Sequence, residues 1–190
     1  DRDYHGYFQG IAVHNGDPMA APGSAAEVYD NGLAPYIGGY PSALVDRGTE
    51  IDPSAFQDNL FTSIVTPISA TFTADANATG NVIDVQITTT VTSAINGDWK
   101  FACVLVEDSV IGTTGTWYQA NKYGDLGISL IDVDGTDWGT LPGWIPATQM
   151  TYRNVGREIL PSFDGGSLPS LTYTVGDVFT QDFQFITDST

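Results

Sequence analysis

Ala70-Thr71-Phe72-Thr73-Ala74 and, shortly after it, Ile83-Asp84-Val85-Gln86-Ile87-Thr88-Thr89 alternate apolar with polar side chains. A period of two, rich in Thr, Val and Ile, is the pattern of strands with one wet face. Further strands are predicted from Trp99 to Val106, near Leu171 to Val175, and from Val178 to Ile186, where Phe179, Phe183 and Phe185 share one side and serve as inward anchors. Between them lies an irregular stretch from Ile111 to Pro146, heavy in Gly, Trp and Asp, and then a helix predicted over Ala147 to Leu160 behind Pro146. Strands separated by turn signals predict an antiparallel Ig-like β-sandwich over residues 66–190, with an insertion at 111–160.

Upstream the texture changes, and the boundary falls near Val65 to Pro67. Tyr7 to His14 is a short apolar run that suits a strand buried on both faces of a parallel sheet, and Asn15-Gly16-Asp17-Pro18 turns the chain after it. Ser24 and Glu27 have capping-box spacing for a short helix that Asn31-Gly32 would stop. A glycine-rich approach, Gly38-Gly39-Tyr40-Pro41-Ser42, leads into a strand at Ala43 to Asp46. Asp52 before Pro53 is a helix start, and Phe56, Leu60 and Ile64 recur at four-residue spacing on one face. The predicted class is α+β: an α/β lobe over 1–65, then the sandwich.

The 23 acidic and 6 basic side chains of the 190-residue chain give a net charge of -17. Such a charge repels phosphate backbones and anionic membranes, so nucleic acid is excluded as a partner class. With Cys103 as its 1 cysteine, the chain holds no internal disulfide or CxxC pair, and the flanking Trp99 to Val106 reads as a buried strand with a structural thiol. No apolar run approaches the ~20 residues of a membrane-spanning helix. The sequence opens at Asp1 without an initiator Met, which predicts either removal of a targeting segment or a longer parent protein.

The order IAVHNGDPMA, YIGGYPSALVDR, VLVEDSVIGTTGTWYQANKYG and LPGWIPATQMTYRNVGREIL resembles the outer-membrane-protein family of Bacteroidetes. That resemblance implies a thioredoxin-like lobe before a sandwich, and export to the cell surface or beyond. It implies that Tyr40, Pro41 and Ser42 form a structural cis-proline loop. It also implies that the strand and helix carrying paired cysteines precede this chain. The strands at Ile11 to His14 and Ala43 to Asp46 would then flank a missing central strand, supplied by the rest of the protein or by another subunit through β-strand addition.

Few constellations carry chemistry. His14 ends a predicted strand beside Asn15 and Asp17, with His5 close in sequence, and reads as a backbone cap, a proton carrier or a metal ligand. Asp132, Asp134 and Asp137, with Gly135 between, have the alternating carboxylates of a calcium loop but no distal Glu, so both a cation site and an Asp-Gly turn are open. Trp117, Tyr118, Tyr123, Trp138 and Trp144 form either a glycan- or peptide-binding platform or a satellite core. Arg153 and Arg157, one helical turn apart, pair with surface acids or capture a carboxylate. No GxSxG elbow is present. The expectation is a non-enzymatic secreted or cell-surface protein, a structural subunit or adhesin that meets other surface proteins or copies of itself. A thiol-disulfide oxidoreductase whose cysteines lie outside this chain and a binding module for glycan or peptide are the alternatives. No cofactor beyond calcium is expected.

Overall fold

Thr79-Gly80-Asn81-Val82 closes the longest hairpin of the computed structural model, which describes residues 6–20, 24–132 and 134–187 (for 24–28 the backbone only). Gly80 supplies the positive φ of 62° that a two-residue hairpin loop demands. The flanking strands, β1 (Ala70–Thr79) and β2 (Val82–Val91), pair antiparallel without a bulge from Ala70↔Val91 to Thr79↔Val82. The last strand, Val178–Ile186, pairs antiparallel with the other side of β2, so β2 is central in a three-stranded sheet.

This register sorts the side chains cleanly. One face carries Ala70, Phe72, Ala74, Ala76 and Ala78, then Val91, Thr89, Ile87, Val85 and Ile83, then Phe179, Gln181, Phe183 and Phe185. The other carries Thr, Asp, Asn and Gln almost throughout. Val91 and Phe185 are fully buried, and Phe179 and Phe183 are partly buried, so the three phenylalanines do point inward. Phe101 stacks on Phe183 at 6.0 Å and meets the edge of Phe72 at 5.4 Å. Val91, Ile95 and Tyr173 make a further cluster, with Leu168 and Phe179 packed against it. Two buried oxygens on the apolar face, Thr89 Oγ1 and Gln181 Oε1, have no hydrogen-bond partner among the described residues.

The remaining strands are short: β3 (Ile95–Asn96), β4 (Lys100–Phe101), β5 (Cys103–Glu107), β6 (Gln119–Ala120), β7 (Trp144–Ile145), β8 (Val155–Leu160), β9 (Gly166–Ser167) and β10 (Thr172–Tyr173). Val178–Ile186 is thus β11. They pair as β3 with β10, β4 with β9, β5 with β8, and β6 with β7. The fold is therefore mixed α and β, with mostly antiparallel strands and few helices. The expected strand from Trp99 to Val106 is broken at Ala102 into β4 and β5.

Helix α1 (Ser24–Leu33) runs past the expected stop at Asn31-Gly32. Gly32 is needed inside it because Phe163 comes so close that a Cβ would sit 2.2 Å from its Cγ. The Asp52 side chain caps a 3-10 turn at Pro53–Ala55 by accepting from Ser54 N, and α2 (Phe56–Ile64) follows with Leu60 buried. A five-residue helix, α3 (Lys122–Leu126), ends on Gly127 in the left-handed region.

Three expectations are corrected. No helix spans Ala147 to Leu160: a 3-10 turn at Ala147–Gln149 gives way to extended chain and β8. Asn154 at φ 54° and Gly156 oppose a helix there, while Val155 and Ile159 bury on alternate positions as a strand requires. The run Tyr7 to His14 makes only one parallel bridge, Ala12 with Val155. Ala43 to Asp46 likewise makes only one antiparallel bridge, Ala43 with Ile51, because Asp46 and Arg47 turn left-handed at φ 50° and 55°. Neither segment is an extended strand among the described residues.

The chain divides into two compact units, one of residues 1–21 with 106–157, the other of 22–105 with 158–190. In the first unit Met19, Tyr152 and Val155 form the core, with Val110, Trp117 and Met150 against them.

Candidate binding surfaces

Glu50 organises the proline loop. The Ser42 hydroxyl donates to its carboxylate, which also accepts from Gly38 N at 2.9 and 3.0 Å; these bonds, the Ser42 one foremost, hold it below the usual carboxylate range. The Tyr40–Pro41 bond is cis, as is Leu160–Pro161. Tyr40 is 63% exposed, yet its hydroxyl donates at 3.2 Å to the buried Asp30, and partial desolvation with that carboxylate pushes the phenol up. Nothing in the local sequence marks Glu50, twelve residues away from Gly38. Cys103 is partly buried, and burial pushes its thiol up, which suits a structural side chain and not a nucleophile.

In the acidic loop the carboxylates are spent on the chain itself. Asp132 accepts from Asp134 N at 2.9 Å, Thr136 N at 3.1 Å and the Trp138 indole at 2.9 Å. Asp137 accepts from Leu130 N and Gly139 N, each at 3.0 Å, and from the Ser129 hydroxyl at 2.8 Å. For Asp132, desolvation works upward but is outweighed by those donors; for Asp137 the Ser129 bond leads, and both carboxyls sit low. Asp134 receives no such set of donors among the described residues. Among the described residues no three His, Cys, Asp or Glu side chains converge as metal ligands would.

The five aromatics of the insertion separate into two groups. Trp117 packs on Tyr152 at 6.4 Å in the core, and Trp138 is partly buried with its indole tied to Asp132. Tyr123, partly buried in α3, accepts from Ile128 N through its carbonyl. Tyr118 and Trp144 instead stand 49% and 59% exposed in a T-shaped pair with ring centroids 4.8 Å apart. The pairing of Ala120 with Trp144 fixes that position, since buried Ile145 forces Trp144 outward. Buried Asn121, which the sequence reading passed over, ties the insertion together by donating from Nδ2 to Trp138 O and Pro142 O.

His14 does meet Asp17. Nδ1 lies 2.8 Å from the Asp17 carboxylate, and the ring contacts Tyr152 edge-on at 5.5 Å. Asp17 also accepts from Met19 N and Ala20 N, so this is a turn clasp. His5 lies outside the described residues. Arg153 and Arg157 are not a helical pair: Arg153 faces Asp108 at 3.5 Å, while Arg157 binds Glu107 at 3.2 Å and donates to Met19 O at 2.9 Å.

The polar face of the β1–β2–β11 sheet is a long surface, nine to ten residues along each strand. Thr71, Thr73, Thr88, Thr90 and Thr180 occupy one end, and Asp75, Asn77, Asp84, Gln86, Asp182 and Gln184 line a shallow depression at the other. Gln86 donates to Asp182 and Gln184 to Asp84, each at 2.8 Å. Lys and Arg are absent from these strands. Comparison with protein-family models, with curated proteins and with solved structures returns no match for this chain.

Proposed function

We propose that the protein is non-enzymatic and works by contact, as a structural subunit or adhesin that is secreted or held at a bacterial cell surface. The observation that carries this reading is the long sheet with a cation-free polar face and an uncovered outer strand, a surface suited to contact and not to turnover. The net charge of -17 supports an exposed life in solution. A kinship with the exported Bacteroidetes proteins, in which residues 1–65 descend from a thioredoxin-like lobe and 66–190 from an Ig-like sandwich, fits the order of proline loop, capped helix and antiparallel hairpin. Antibody labelling of intact source cells tests the location: signal on unpermeabilised cells or in the medium is expected, and signal only after permeabilisation refutes it.

The exposed Tyr118 and Trp144 pair favours a second reading, a module that stacks a sugar or peptide on aromatic rings. Titration of neutral oligosaccharides followed by tryptophan fluorescence tests it. Saturable binding lost in Trp144→Ala supports the module, and no saturable change in the wild type removes it.

A further inference from the structure

We infer that two copies of this chain pair through the outer edge of β1, antiparallel, with the two-fold axis at Ala74. The inference rests on the reading of the protein as an assembling subunit and supplies its interface. Val91 N donates to Asp177 O on the β11 side, and Thr92 N to Ser69 O on the β1 side. Backbone direction alternates along a strand. It follows that Ser69, Thr71, Thr73, Asp75 and Asn77 turn their N–H and C=O groups towards β2, whereas Ala70, Phe72, Ala74, Ala76 and Ala78 turn theirs outward. Among the described residues nothing pairs with that outer edge, and every residue of β1 after Ala70 is exposed.

Natural edges are usually blunted by Lys, Pro, bulges or short length. β1 has none of these: it is unbulged over ten residues, and Asp75 is its one charge. An incoming strand must match outward backbone to outward backbone and apolar face to apolar face. The same strand, inverted about Ala74, does both. Phe72, 58% exposed, then lies opposite Ala76 of the other copy, and Ala70 opposite Ala78, so a bulky ring meets a methyl. Inversion about Asp75 would satisfy the backbone equally, but it would set two carboxylates face to face. Inversion about Ala74 sets Asp75 opposite Thr73 instead. A copy of this chain is thus an acceptable neighbour at β1 despite the net charge of -17, because the strand itself holds so little of it.

Sedimentation velocity over a concentration series tests the pairing, with far-UV circular dichroism to establish that each variant folds. The wild type is expected to reach a dimer. Ala74→Pro removes an outward N–H without touching the β1–β2 ladder, and Ala76→Lys adds an edge charge; each is expected to abolish the dimer. In a Cys103→Ser background, Thr73→Cys and Asp75→Cys proteins mixed under oxidised glutathione should form a crossed disulfide dimer, since the two positions face each other as a non-hydrogen-bonded pair. Asp75→Cys alone linking to itself would overturn the register. A wild type that stays monomeric, or a dimer untouched in both edge variants, would overturn the interface. Neither result bears on surface location, which the antibody experiment decides separately.

Discussion

Thr89 is 2% exposed at the centre of the apolar face, opposite Phe72 on β1 and Phe179 on β11, and its hydroxyl oxygen has no partner among the described residues. Replacing it with Val keeps the β-branched shape and removes the unsatisfied group. Burying a hydroxyl without a hydrogen bond costs about 1–3 kcal/mol by protein mutational measures. Val in place of Thr should recover part of that, about 1–2 kcal/mol, helped by an equal or better strand preference. At roughly 2–4 °C per kcal/mol for a chain of this size, Thr89→Val should raise Tm by about 2–8 °C. Urea unfolding should show a higher midpoint with an unchanged slope. Thr89→Ser is the control: it keeps the hydroxyl and loses a methyl, and should destabilise by about 1 kcal/mol through lost burial. If Thr89→Val lowers Tm while Thr89→Ser is tolerated, the hydroxyl is satisfied, by water or by Gln181, and the reasoning fails.

Three further outcomes follow. The Asp17 carboxyl is raised by burial but held below its usual value, on balance, by His14 and the Met19 and Ala20 amides; its stabilisation is therefore complete above the unfolded value of about 3.9 and lost as pH falls through the lower folded value. Tm profiles across that acid range should converge for wild type and Asp17→Asn, with the wild type more stable near neutrality. Gly139→Ala should cost about 1–3 kcal/mol or more, measured by urea unfolding, because the new Cβ would lie 2.2 Å from Ile128 O, a backbone atom that cannot step aside. Calcium against chelator should leave Tm unchanged, since Asp132 and Asp137 are already engaged by internal donors; a rise of several degrees with calcium would restore the cation reading.

Legibility in the sequence followed the length of the pattern. β1, β2 and β11 each sustain two-residue alternation over nine or ten positions; the ends of β11 and its inward phenylalanines were readable in advance, whereas only Ala70 to Ala74 of β1 and Ile83 to Thr89 of β2 were marked. The Asp52 cap was readable because it is a local device. The stretch after Pro146 misled because a proline start signal and two arginines four apart imitate a helix, while the decisive facts, a left-handed Asn154 and the burial of Val155 and Ile159, depend on tertiary partners. The same limit applies to the sites. Clusters of Asp and of Trp are visible as residue types, but whether a carboxylate faces an ion or its own loop, and which ring of five stays wet, depends on hydrogen bonds to residues such as Trp138 and on the outward turn of β7.

The bridge between Ala12 and Val155 joins positions about 140 residues apart. During synthesis the segment around Ala12 leaves the ribosome well before Val155, with which it pairs. Met19 and His14 wait in the same way for Tyr152 and Val155. Until residue 155 has emerged, then, the apolar positions around Ala12 and Met19 lack these partners, while the β1–β2 hairpin can close as soon as Val91 has emerged. The segment made earlier is thus the one completed later, and a factor that shields nascent apolar chain would find it open around Ala12 and Met19 over that interval.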